Sequence, residues 1–139
     1  TQNASFNCNA AKVIVTARGW PQREAFLDAV HAELRKTRAR KAYYPGAKAR
    51  HQAFLAQYPD ALVLGPVPEG SADEVVAWTA IPDVPSDAGG YALTNEAFCG
   101  VVAEVSLGLA LPRARGGVRQ RALLGNALVL HPGRPRDAR

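Results

Sequence analysis

The sequence predicts an α/β fold, on three observations. The run Lys12-Val13-Ile14-Val15-Thr16 has the β-branched density of a strand buried on both faces. Two stretches, 21–36 and 46–58, carry their apolar residues at helical spacing. Short apolar runs at 61–65, 74–81, 101–105 and 127–132 alternate with these, separated by segments rich in Pro and Gly. A chain of 139 residues is enough for one compact core, so these elements are expected to pack together, the strands covered by the two amphipathic helices.

Taken in order, the first strand is expected over 12–16 and is broken by Arg18-Gly19-Trp20-Pro21. Pro21 suits the first position of a helix, where its missing N–H costs nothing. Phe26, Leu27, Val30 and Leu34 then share one face, with Glu24, Asp28, Glu33, Arg35 and Lys36 elsewhere, and the basic residues sit at the helix end that favours cations. Residues 37–44 read as a basic connection ending in a Tyr-Tyr-Pro-Gly turn. The second helix places Ala47, Phe54, Leu55 and Tyr58 on its apolar side and stops before Pro59. Ala61–Gly65 and Glu74–Ile81 each read as one strand, and Pro82–Gly90 as a loop. An extended segment is expected over Val101–Val105, directly after Cys99, and a last strand within 127–132.

The net charge of +5 is unevenly placed. Residues 107–139 hold seven arginines and a single acid, Asp137, so this tail accounts for all of the excess and the rest of the chain is close to neutral. The tail has no interleaved aromatics and no recognisable nucleic-acid motif, and binding to nucleic acid is not expected. No apolar run is long enough to span a membrane, and no basic start followed by an apolar stretch marks a secretory leader. A cytoplasmic location is expected. Cys8 and Cys99 make no disulfide framework and lie in no metal-binding spacing. His31, His51 and His131 are scattered and read as surface or structural residues, and Trp20 and Trp78 as packing residues.

Two short stretches carry the chemistry. In Ser5-Phe6-Asn7-Cys8-Asn9-Ala10 the thiol lies in a polar loop just ahead of the first strand, and in Glu96-Ala97-Phe98-Cys99-Gly100-Val101 a carboxylate and a ring lie just ahead of another. Together, and with the Gly19-Trp20-Pro21 helix start between them, these resemble the aldehyde dehydrogenase superfamily. The family's thiol lies in Gly-Gln-x-Cys-x-Ala, of which Cys8 and Ala10 match and the Gly and Gln positions do not. Its second signature is Glu-x-Phe-Gly-Pro-Val, of which Glu96, Phe98 and Val101 match and Cys99-Gly100 replaces Gly-Pro. The resemblance covers about 1–107, a portion of the catalytic domain, with 108–139 as an arginine-rich segment holding one late strand.

The resemblance implies oxidation of a small-molecule aldehyde to an acid, with Cys8 as catalytic nucleophile and Glu96 and Phe98 as cofactor-binding residues for NAD or NADP. An aldehyde has no hydride to release until a nucleophile has added, and a thiolate both adds well and leaves well from the later thioester. No metal is expected, and Cys99 is read as an inert buried thiol. No phosphate-cradling Gly-rich loop is present and only seven residues precede Cys8, so the dinucleotide-binding domain is expected to be absent. A truncated or frameshifted gene is the corresponding expectation, with a genuine basic C-terminus as its open alternative; the product is expected to be inactive alone, without tight cofactor binding, and reliant on association that a homo-oligomer would satisfy. The contrasting reading is a small non-catalytic α/β interaction module whose basic tail meets an acidic partner. A Cys8 hydrolase with His51 as base is the nearest rival for the thiol, but no local signature of such enzymes surrounds it.

Overall fold

A computed structural model of the chain describes residues 2–71, 74–87, 89–108 and 127–129. It is a mixed α/β structure. The first strand, β1 (Val13–Ala17), is buried along its whole length, as its β-branched composition requires. Next come α1 (Arg23–Lys36), a two-residue strand β2 (Arg40–Lys41) and α2 (Ala47–Gln57). The chain continues through β3 (Leu62–Leu64), β4 (Val75–Val76), β5 (Trp78–Ile81), one turn of helix α3 (Tyr91–Thr94), β6 (Val101–Leu107) and β7 (Ala127–Val129). The five-stranded sheet has the order β3-β5-β6-β1-β7, and β2 pairs with β4 in a separate antiparallel pair. Within the large sheet β5, β6, β1 and β7 run parallel, and β3 closes one edge antiparallel to β5.

The two helices take opposite faces. Ile14, Ala80 and Val102 of the sheet border one small cavity together with Leu27 and Val30 of α1. Thr79 precedes Ala80 on its strand and so points the other way, where its hydroxyl lies 2.8 Å from His51 Nε2 of α2. Phe54 of α2 packs edge-on against Tyr91 at 5.0 Å, which ties α3 to the same face. Gly65 leaves β3 with φ +83°, and a Cβ there would lie 3.1 Å from the carbonyl oxygens of both Leu34 and Thr37. The end of α1 and the end of β3 can approach so closely only at a glycine.

Three expectations are corrected. Pro21 lies in a turn before the helix, whose N-cap is Gln22, so it does not occupy the first helical position. Glu74–Ile81 is not one strand: β4 joins β2 and β5 joins the main sheet, with Ala77 between them. The basic connection at 37–44 contains β2, whose pairing with β4 is antiparallel. The short α3, for which no element was expected, follows the Pro- and Gly-rich loop, and the extended segment expected over Val101–Val105 is β6. The arginines of the basic tail and His131 lie outside the described residues.

Buried charge is handled on the α1 face. Glu104, 4% exposed in the middle of β6, receives Arg23 Nε at 3.0 Å and Nη2 at 2.8 Å, the Thr16 hydroxyl at 2.5 Å and the Asp83 N–H at 3.2 Å. Burial alone would push the Glu104 carboxyl up; these donors and the Arg23 charge outweigh it and hold the group below the usual carboxylate range.

Candidate functional site

Cys8 and Glu96 each lie five residues ahead of a strand, β1 and β6 respectively. Those strands are neighbours and parallel, with Val13 level with Ala103, so the two entering loops reach the same end of the sheet. This is the amino end of the strands, the opposite of the carboxyl-end crevice in which open parallel sheets usually hold ligands. The loops, and not the strand ends, must therefore shape any site here.

Lys12 joins them. Its ammonium donates to the Ser5 carbonyl at 2.5 Å and lies 5.6 Å from the centre of the Phe98 ring. Burial lowers its pKa, while the charges of Glu96, Cys99 and Cys8 pull the other way. One half-buried cation thus lies near the Phe98 ring and feels the charge of Glu96 and Cys8, the three residues that the sequence places at a site.

The backbone on both sides of this cation is unusual. Asn3, Ala4 and Ser5 take positive φ values of 47°, 49° and 64°, and Phe98 takes 45°. Each such residue bearing a Cβ costs on the order of 1–3 kcal/mol and persists only where its surroundings over-determine it. Lys12 holds the first loop through Ser5. Arg50 of α2 holds the second, its Nε donating to the Ala97 carbonyl at 3.0 Å and its Nη1 to that of Pro45 at 2.9 Å. Tyr44 packs on Phe98 with ring centres 4.5 Å apart.

Among the described residues, two buried side-chain polar atoms have no hydrogen-bond partner, Asn7 Oδ1 and Arg50 Nη2. Asn7 adjoins Cys8, and Arg50 grips the Glu96–Phe98 loop. One of these atoms thus lies on the Cys8 loop and the other on the α2 side chain that holds the Glu96 loop.

The two thiols differ sharply. Cys8 is exposed and free. Cys99 is 0% exposed, and burial pushes its thiol up to about 11 against the pull of Arg50 and Lys12. It is the inert residue expected. The Glu96 carboxylate is exposed and accepts no hydrogen bond from the described residues, which leaves both oxygens available.

His51 does not serve Cys8. Its Nε2 is spoken for by the buried Thr79 hydroxyl, and burial lowers its pKa. Trp78 is buried in the core, and Trp20 packs against Phe26 at 5.5 Å. Among the described residues no group of three acidic, histidine or cysteine side chains could hold a metal, and no helix is long and apolar enough to cross a membrane.

Sequence reasoning missed Lys12, Asn7 and Arg50. The signal available for Lys12 was a lone cation abutting a fully buried strand, which must find a partner. Arg50 gave no such signal, because its partner is a backbone carbonyl far along the chain. No protein-family model, no curated protein and no solved structure matches the chain.

Proposed function

We propose that this chain carries the nucleophile and part of the cofactor side of an aldehyde dehydrogenase catalytic domain. Cys8 is the nucleophile, and Glu96 and Phe98 face a nicotinamide dinucleotide. The observation behind this reading is the convergence of two sequence-distant loops on Lys12, whose ammonium lies over Phe98 and in the field of both Cys8 and Glu96.

The chemistry follows from the groups present. The Cys8 thiolate adds to the aldehyde carbon, forming the C–S bond while the carbonyl electron pair moves to oxygen. The Cys8 backbone N–H is one donor to that oxygen, and the Lys12 cation adds a favourable field where the negative charge develops. The unbonded oxygens of Glu96 suit the paired hydroxyls of a ribose, and Phe98, held by Tyr44, offers a rigid apolar flank. NAD or NADP, when bound, would supply the hydride acceptor. Loss of the adduct's C–H hydride to that acceptor, as the oxyanion re-forms its carbonyl, would leave a thioester on Cys8; water, losing a proton to solvent, then adds to it, and the acid departs as the Cys8 thiolate is expelled.

Acyl transfer from 4-nitrophenyl acetate tests the nucleophile without any hydride acceptor, because the thiol attacks the ester carbonyl and 4-nitrophenolate departs. The expected result is a rapid release of one equivalent per chain, lost in Cys8→Ser and kept in Cys99→Ser. A release no faster than with a free thiol, or one unchanged in Cys8→Ser, overturns the reading.

A further inference from the structure

A second concave region lies apart from this site. A groove of about 750 Å³ runs between the segment linking α1 to β2 and the loop that precedes β4, and none of Cys8, Lys12, Glu96 or Phe98 lines it. Its volume falls within the range usual for small-molecule sites. One wall is basic: Arg38, Arg40 and Lys41 line it. The floor and opposite wall are largely apolar, with Trp78, Pro68 and Val75.

The local backbone explains why the charges gather there. Thr37 ends α1 in an extended conformation, and Ala39 is 5% exposed and points into the protein. Successive side chains of an extended segment alternate, so Arg38 and Arg40 project together away from the core. Lys41 has an acidic neighbour, Glu74, at 3.2 Å. Among the described residues, neither arginine has one. Arg40 has the neutral amide oxygen of Asn3 at 3.3 Å, and Arg38 makes no hydrogen bond or ion pair with any described residue.

Two arginine forks with no carboxylate partner among the described residues, on the same side of an extended segment and above an apolar floor, make a receptor for a ligand that is anionic at one end and apolar at the other. Guanidinium groups match phosphate oxygens in pairs, which a lysine ammonium cannot do. We propose that this groove binds a small phosphate monoester bearing a flat or apolar group, of the size and character of a nucleoside monophosphate. Arg38 and Arg40 take the phosphate, and Pro68, Val75 and the edge of Trp78 take the rest. The proposal does not depend on the dehydrogenase reading, because none of Cys8, Lys12, Glu96 or Phe98 lines the groove, although Ala4 of the first loop does.

Calorimetric titration of the whole chain with AMP, adenosine and inorganic phosphate tests it. AMP is expected to bind, with adenosine and phosphate each weaker by about tenfold or more, as the loss of charge-assisted hydrogen bonds implies. Arg38→Gln/Arg40→Gln should lose AMP binding by a similar factor, and Glu96→Gln should leave it unchanged. Should the double variant misfold, Arg38→Gln alone decides, since that side chain makes no hydrogen bond or ion pair with a described residue and its loss is expected to weaken AMP several-fold. Equal affinity for AMP and adenosine, undiminished binding in a folded arginine variant, or a single-stranded oligonucleotide bound more tightly than AMP through these arginines overturns the proposal. Loss of AMP binding in Glu96→Gln would overturn it as well, by placing the ligand at the other site.

Discussion

Replacing Arg23 with Met isolates the buried charge that joins α1 to the sheet. Arg23 contributes two hydrogen bonds to Glu104 and one, at 3.2 Å, to the Thr16 hydroxyl, and its outer nitrogen also meets Asp83 at 2.6 Å. The Glu104 side chain is 6% exposed and that of Arg23 14%, so little solvent is available to replace what is lost. Breaking one partner of a pair this buried costs about 3–5 kcal/mol at a pH where Glu104 must stay ionised. With a urea dependence of about 2 kcal/mol per molar for a chain of this size, the unfolding midpoint should fall by about 2 M.

Acid changes the sign of the pH response. In the native protein Glu104 is held below its unfolded pKa, so its contribution is full above that value and is lost as pH falls through the folded one. In Arg23→Met the orphaned carboxyl should titrate above its unfolded value, so the variant gains stability on mild acidification while the native protein loses it. Glu104→Leu/Arg23→Met, which removes both charges, should recover all but about 1 kcal/mol. A single-variant loss below about 1 kcal/mol at pH 8, or a double variant as unstable as the single, would refute the reasoning.

Three further outcomes are expected. Iodoacetamide near neutral pH should label Cys8 alone, because Cys99 is fully buried with its thiol pushed up to about 11; mass spectrometry should show a second adduct only after denaturation. Burial holds His51 below its unfolded pKa, so its stabilising share is full above the ordinary histidine range and declines as pH falls through it. His51→Phe should flatten that part of the acid-side slope in urea midpoints measured across pH. Lys12→Met removes the donor to Ser5 and the cation over Phe98, costing about 1–2 kcal/mol, and hydrogen exchange should rise in both loops, around Ser5–Cys8 and around Glu96–Phe98. Faster exchange in only one of them would mean that Lys12 does not bridge the two.

The elements legible in the sequence are those with a strong local pattern. The β-branched run at 13–17 and the helical spacing of Leu27, Val30 and Leu34 stand close to where they were expected. What was not legible depends on partners distant in the chain. Ala77 divides an apparent single strand because Val75 and Val76 find Lys41 and Arg40, while Trp78 onward finds β3 and β6. Glu104 looks like an error in a valine-rich strand until Arg23 and Thr16 are brought to it. Cys8, Glu96 and Phe98 were expected at a site from their match to two short family signatures, a local feature of the sequence. Their meeting on Lys12 depends on β1 lying beside β6, a pairing that no local pattern announces.

The central claim is that the Cys8 thiol and the Glu96 carboxylate serve one bound ligand. A nitroxide attached to Cys8 reports this directly through paramagnetic broadening of the nicotinamide ring protons of added nicotinamide mononucleotide, observed in fast exchange so that weak binding suffices. Strong broadening in the native chain that disappears in Glu96→Ala is the predicted result. No broadening, or broadening that persists undiminished in Glu96→Ala, would contradict the account.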